Sequence, residues 1–413
     1  MNSYPRFARG AKQRPSGARS ARSGGFFNPR NSYNNRNRRA GSGGGYREHI
    51  DISRFVKQAA GEIQSTPVSI TNRFEDFDLS PILKSNIKKL GFSIPTPIQD
   101  QAMPLVLKGS DVIGLANTGT GKTAAYLLPI IEKILKDNRS EAVIIAPTRE
   151  LALQIDNDFK NLSRLTGISS AVLVGGMPSR PQMQQLRYRP NVVIGTPGRL
   201  KDFQQRRLVN FSHFATVVLD EVDRMLDMGF INDIKEIIGQ LPKNRQSLFF
   251  SATMPDRIRT LSEQFLKEPV IVSIGSNQTA DHVEQNVIKT SSAYEKIDEL
   301  KKLLSQPGAD KVLIFSDTKR SVEKLSEELK REGFKTESIH GNKRQSQRQK
   351  ALDEFRQNKI NVLVATDVAA RGLDIKNVTH VINFTVPHTY DDYIHRIGRT
   401  GRANCKGIAY TFA

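Results

Sequence analysis

Gly114-Leu-Ala-Asn-Thr-Gly-Thr-Gly-Lys-Thr123 joins a short apolar run to a helical one, and the rest of the chain can be placed around it. Val112–Leu115 has the composition of a buried strand, and Lys122 and Thr123 open an apolar helical run from Ala124 to Leu135. Between them, Gly119 and Gly121 admit backbone angles closed to residues with a Cβ. Strand, glycine-bearing loop, Lys-Thr and helix make a phosphate cradle. The loop residues Ala116, Asn117, Thr118, Gly119, Thr120 and Gly121 turn backbone N–H groups and the positive helix end toward an anion. Lys122 reaches the β- and γ-phosphates, and the Thr123 hydroxyl holds Mg2+. The strict pattern has glycine where Ala116 stands, so the match is Ala-x-x-x-x-Gly-Lys-Thr. A plain Gly/Thr surface turn is the competing reading.

Outward from the cradle, short apolar runs alternate with helical stretches from residue 72 onward. Strands are expected at Val112–Leu115, Ala142–Ala146, Ala171–Val174, Asn191–Ile194, Thr216–Leu219, Ser247–Phe250 and Val270–Ile274. This alternation predicts an α/β fold with a parallel sheet covered by helices on both faces. Ligands of open α/β sheets bind beyond the carboxyl ends of strands. Polar stretches follow the strands at that edge: Pro147-Thr-Arg-Glu-Leu151, Gly175-Gly176, Thr196-Pro-Gly-Arg199, Asp220-Glu-Val-Asp223 and Ser251-Ala-Thr253. Residues 275–285 read as a polar hinge. A second α/β series has strands at Val312–Phe315, Glu337–Ile339, Val362–Ala365, His380–Phe384 and Ile408–Phe412. Its polar stretches are Thr366-Asp367, Arg371–Asp374 and His395–Arg402. It lacks a phosphate cradle, so it is expected to lend residues across a cleft to the nucleotide of the first unit.

The length of 413 residues suits two or three domains with real cores. Hydrophobic residues make up 38% and charged ones 25%, which fits a soluble protein with a polar appendage. No run approaches the ~18 apolar residues of a membrane span. The single cysteine, Cys405, excludes an internal disulfide and a cysteine zinc site and suits a reducing, cytoplasmic setting. Half of the net charge of +20 lies in residues 1–48, where eleven Lys/Arg face one acid, Glu48. This Arg/Gly/Ser/Asn-rich arm carries scattered aromatics and no apolar periodicity, and it is expected to be disordered. Arginine neutralises phosphates and aromatics stack on bases, which suits sequence-tolerant single-strand binding. A solubilising arm and an Arg/Ser-rich transit peptide fit the same composition. Residues 49–71 read as a linker.

Val217-Val-Leu-Asp220-Glu221 is an apolar strand ending in two carboxylates. Beside a phosphate cradle, the first acid orders Mg2+ and the second polarises the attacking water. Acids at strand ends also serve as helix N-caps. Phosphoryl transfer further needs positive charge on the γ-phosphate. Arg396, Arg399 and Arg402, spaced i, i+3, i+6, would lie near one helix face or turn. The glycines between them argue against a merely solvated helix face.

Taken together these stretches resemble the DEAD-box RNA helicases of superfamily 2, over residues ~72–413. Phe74 and Gly91-Phe92-x-x-Pro95-Thr-Pro-Ile-Gln99 resemble the Q motif, Ala116–Thr123 motif I, Asp220–Asp223 motif II and Ser251–Thr253 motif III. Pro147–Leu151 and Thr196–Arg199 resemble the RNA-contacting motifs, Arg371–Asp374 motif V and His395–Arg402 motif VI. The resemblance implies two tandem RecA-like domains, an ATP-binding one at 72–274 and a C-terminal one at 286–413. It implies ATP with Mg2+ as fuel and single-stranded or short duplex RNA as partner, with non-specific RNA binding by the arm. Gln99 would read adenine, Phe92 would stack on it and Asp374 would reach the ribose. Lys122 and Thr123 would bind phosphate and metal, Asp220 would hold the metal and Glu221 would position water. Arg399 and Arg402 would be arginine fingers. Asp223, Ser251, Thr253, His395 and Arg396 would couple hydrolysis to domain movement. Pro147, Thr148, Arg149, Gly176, Thr196, Arg199 and Thr366 would line the RNA groove, supported by Gly341, Gln345 and Arg348. Motif II departs from the family in having Val222 where alanine is usual, and the chain stops at Ala413, where relatives usually continue with a helix. A DNA-directed member of the superfamily and a non-catalytic RNA clamp are the rival readings.

Overall fold

The computed structural model describes residues 52–53, 55–56, 70–117, 119–274, 283–370, 375, 377–401 and 406–413. The arm, most of the 49–71 linker, Thr118, residues 275–282 of the hinge, Arg371–Asp374, Arg402 and Cys405 lie outside the described residues. Residues 50–413 form one unit containing two parallel sheets.

The first sheet has seven strands in the order β3-β4-β2-β5-β6-β1-β7. They are β1 Val112–Leu115, β2 Glu141–Ile145, β3 Ser170–Leu173, β4 Val192–Gly195, β5 Phe214–Asp220, β6 Gln246–Ser251 and β7 Val270–Ser273. Alternate residues face opposite cores. Val112, Ile144, Ile194, Val218 and Phe250 pack into one, while Ile113, Val143, Val193, Leu219 and Phe249 pack into the other. Burial on both faces explains why these strands read as continuous apolar runs. The second sheet has six strands, in the order β10-β11-β9-β12-β13-β8. They are β8 Val283–Ile288, β9 Val312–Phe315, β10 Thr336–Ile339, β11 Val362–Ala365, β12 His380–Asn383 and β13 Gly407–Phe412. Leu313, Leu363 and Val381 face one core, and Ile314, Val364 and Ile382 the other. Among the described residues no helix is long and apolar enough to cross a membrane.

Most strands stand within a residue or two of their expected positions. The exception is β8. Residues 283–285 read as the end of a polar hinge, yet they begin the edge strand of the second sheet and pair with β13. The run Val-Glu-Gln-Asn-Val-Ile is half polar because only Val283 is buried, and an edge strand needs no continuous apolar sequence.

Candidate active site

The carboxyl ends of β1, β5 and β6 meet at the helix Lys122–Lys136. Gly121 caps that helix at φ 93°, in the left-handed region. A Cβ there would come within 2.5 Å of Gln99 Nε2, so this position combines positive φ with close approach. Gln99 is buried; its Oε1 accepts from the Thr96 N–H at 2.9 Å and its Nε2 donates to the Gly121 carbonyl at 3.1 Å. Gln99 thus directly touches the loop that leads into the helix Lys122–Lys136. Phe92 is 41% exposed and stacks on Phe74, with ring centroids 6.2 Å apart. Lys122 Nζ donates to the Ala116 carbonyl at 2.8 Å, and Thr120 Oγ1 donates to Asn117 O at 2.8 Å.

Asp220 ends β5 opposite Lys122. Its Oδ1 accepts from the Glu221 N–H at 2.9 Å and its Oδ2 from the Tyr126 hydroxyl at 2.9 Å. Burial pushes its carboxyl up to about 6; Lys122 opposes this and Glu221 adds to it. Burial, then the Asp220 charge, also raises the Tyr126 hydroxyl well above its ordinary value, and the Thr123 hydroxyl lies beside it. Glu221 is a non-glycine residue at φ 53°, ψ 56°. That conformation turns the chain sharply from β5 into the helix Val222–Asp227 at a cost of roughly 1–3 kcal/mol. Glu221 Oε2 accepts from Arg224 Nη1 at 3.1 Å. Val222 is fully buried in the core beneath, with Met225 and Leu226.

Asp223 gathers the loop after β6. Its Oδ2 accepts from the N–H groups of Ala252 at 3.0 Å and Thr253 at 3.1 Å and from Thr253 Oγ1 at 3.3 Å, while its own N–H donates to Ser251 Oγ at 3.2 Å. Burial alone would raise its carboxyl, but the charges of His395 and Lys122 and the hydrogen bonds hold it below its ordinary value.

The second sheet contributes from across a cleft. One cavity is lined by Lys122, Glu221, Asp223, Arg224, Asp227 and Ala252 of the first lobe and by His395 and Arg399 of the second. Arg399 is 4% exposed, and its Nε donates to the His395 carbonyl at 3.3 Å. Arg396 points elsewhere. The helix Tyr390–Ile397 ends between the two arginines. Arg396 is buried inside the second lobe, with Nε and Nη2 each 2.6 Å from the Asp367 carboxylate and Nη1 on the Thr385 carbonyl at 2.7 Å. Of the helix face or turn expected to hold Arg396, Arg399 and Arg402, Arg396 lies in the last turn of the helix and Arg399 in the turn just past its end, while Arg402 and Asp374 lie outside the described residues.

A second group sits at the ends of β2, β3 and β4. Thr148 and Thr196 are the N-caps of the helices Arg149–Leu162 and Pro197–Gln205, with Pro147 and Pro197 beside them. Both helix N-termini face the same edge. At Gly176, where φ is 68°, a Cβ would fall on the Arg149 guanidinium. Arg199 lies 5.4 Å from the Phe203 ring centroid. Burial draws the Arg149 guanidinium below its ordinary value; Glu150 opposes this, while the Arg348 and Arg199 charges reinforce it. Glu150 spans the lobes, accepting from Gln345 Nε2 at 2.9 Å and from Arg348 Nη2 at 3.1 Å. Thr366, at the end of β11, is buried, and Gly341 packs against Lys319.

A family model described as DEAD/DEAH box helicase matches residues 96–261, and one described as helicase conserved C-terminal domain matches residues 295–404. The chain belongs to the DEAD-box helicase family. Among the family's curated members, it is 45% identical over 342 residues to the ATP-dependent RNA helicase CshA of Limosilactobacillus reuteri, covering 82% of this chain and 69% of that one. It is 44% identical over 345 residues to the DEAD-box ATP-dependent RNA helicase CshA of Bacillus subtilis, covering 83% and 70%. S. cerevisiae Dbp5 bound to RNA and ADP BeF3 is similar in structure, with a TM-score of 0.75, 31% identity and coverage of 83% of this chain and 90% of that one. The fold of this helicase is accordingly two tandem RecA-like domains.

Sequence reasoning missed Tyr126, Arg224 and Asp227. Tyr126 looked like one more apolar residue of a helix, and only its pairing with Asp220, 94 positions away, gives it meaning. Arg224 directly follows Asp-Glu-Val-Asp and carried no spacing signal of its own.

Proposed function

We propose that this chain is an ATP-dependent RNA helicase in which RNA and ATP together close two lobes over one nucleotide. The cavity where Lys122 and Glu221 meet His395 and Arg399 carries this reading, since neither lobe alone supplies both sets. Phe92 and Gln99 select adenine, using the exposed ring and the remaining hydrogen-bonding capacity of the amide. The loop Ala116–Gly121 and Lys122 bind the phosphates, and Asp374 reaches the ribose. Thr123 and Asp220 hold Mg2+, which when bound neutralises phosphate charge. Among the described residues no group of three or more His, Cys, Asp or Glu side chains could hold a metal unaided; Mg2+ in such sites takes its other ligands from phosphate and water.

Glu221 positions the attacking water, and Arg399 with Arg402 offsets charge developing on the γ-phosphate. Asp223 ties the Ser251–Thr253 loop to the motif II turn, so movement at one is felt at the other, and His395 and Arg396 hold the second lobe's side of that contact. Val222 makes motif II a DEVD variant whose added methyls lie in the core, away from the reacting groups. The helix N-termini at Thr148 and Thr196, with Pro147, Arg149, Gly176, Arg199 and Thr366, bind the RNA backbone. In this reading RNA bent in the closed groove leaves A-form geometry, so a short duplex loses pairing. Residues 72–274 serve as the ATP-binding domain, the C-terminal domain starts at β8, and the arm adds non-specific RNA affinity. The single cysteine suits a reducing compartment and supports a cytoplasmic reading.

The test is ATP hydrolysis by the purified chain with no nucleic acid, with single-stranded RNA and with DNA of matched sequence. Stimulation by RNA alone is expected. Equal stimulation by DNA overturns the substrate assignment, and no stimulation favours a clamp.

A further inference from the structure

Arg224 is gripped from both sides of the cleft. Its Nη1 donates to Glu221 Oε2 at 3.1 Å, and its Nη2 donates to the Val368 carbonyl of the second lobe at 2.6 Å. The side chain is 5% exposed and that of Glu221 10%, so water competes little for either bond. Val368 belongs to the one-turn helix Asp367–Ala370, whose Asp367 is held in a bidentate contact by the Nε/Nη2 edge of Arg396. The carbonyl is therefore a fixed feature of the second lobe. Glu221 sits on a strained left-handed backbone at the end of β5, where its side chain depends on its partners for direction.

We propose that Arg224 is a positioning residue that signals docking of the second lobe to Glu221. With the lobes together, the Val368 carbonyl fixes one edge of the guanidinium, and the opposite edge holds the Glu221 carboxylate in the orientation that positions water. With the lobes apart, the first bond is lost and the fork no longer has a fixed direction. In this role Arg224 exchanges no proton; it acts by orienting Glu221. The planar five-donor fork suits this double grip, whereas a lysine ammonium is a point charge on a flexible stem. The inference rests on the ATP-hydrolysis reading above and deepens it.

The experiment uses the full chain, its Arg224→Lys and Arg224→Met variants, Glu221→Gln and the Glu221→Gln/Arg224→Met pair. Single-turnover hydrolysis is measured with and without single-stranded RNA, and affinity for a fluorescent ADP is measured alongside. The ratio of RNA-stimulated to RNA-free rate is expected to fall roughly 10- to 100-fold in both Arg224 variants, the range set by a hydrogen bond to a charged group. ADP affinity in Arg224→Lys stays within about threefold, as the bound nucleotide needs only the first lobe's cradle. Adding Arg224→Met to Glu221→Gln gives little further loss, because the group it acts through is already disabled. An unchanged stimulation ratio in Arg224→Lys, or full additivity with Glu221→Gln, overturns the proposal. Absence of RNA stimulation in the unsubstituted chain would instead overturn the helicase reading itself.

Discussion

Asp220 carries a charge that its burial disfavours. Its carboxyl ordinarily titrates at 3.8 and is pushed to about 6, chiefly by burial. The native state thus holds this proton more tightly than the unfolded chain. Stability from this group falls as pH rises from about 4 to about 6, and the full cost of the buried charge is present above that. Asp220→Asn should therefore stabilise the nucleotide-free protein at pH 7.5 by up to about 3 kcal/mol, read as a higher melting temperature. The gain should shrink as pH is lowered to about 5. A gain that grew on acidification would refute the assignment. Tyr126 gives the same carboxylate its other partner. Tyr126→Phe should weaken Mg2+-dependent binding of a fluorescent ADP about tenfold, the low end for groups that orient a metal ligand, with metal-free binding unchanged. An identical Mg2+ titration in the variant would contradict that role.

Elements place these residues. The loops after β1, β5 and β6 were legible as strand-end loops because each follows an apolar strand and packs polar residues into a short spacing. The parallel order of β1, β5 and β6 then brings them to one crevice. What the sequence hid was pairwise or edge-bound. β8 has an edge strand's mixed composition, and Glu150 reads as a helix-start acid until Gln345 and Arg348 approach it from the other lobe. The three arginines Arg396, Arg399 and Arg402 shared one spacing in the sequence, which could not tell that the helix ends at Ile397, between Arg396 and Arg399. Glu150 offers a test at this scale. Glu150→Ala removes two interlobe bonds and leaves the half-buried Arg348 guanidinium without its ion-pair partner. The mutual enhancement of RNA and ATP-analogue binding should drop roughly tenfold. ATP-analogue binding without RNA should not change, and a loss there would mean that Glu150 supports the first lobe instead.

At the scale of the molecule, affinity for RNA and chemistry on ATP are separable. Deleting residues 1–48 removes half of the net charge of +20. RNA binding should weaken and its salt dependence flatten by roughly one logarithmic step per lost phosphate contact, with the maximal hydrolysis rate preserved. An unchanged salt slope would mark the arm as a solubiliser. The central claim is that a second lobe completes the site built by the first. Its most direct measurement is the RNA-stimulated ATPase rate of Arg399→Ala beside its ATP affinity. The account predicts a fall of roughly 1,000-fold or more in the stimulated rate with affinity nearly intact, as for other arginine fingers. Hydrolysis at the unsubstituted rate would contradict it.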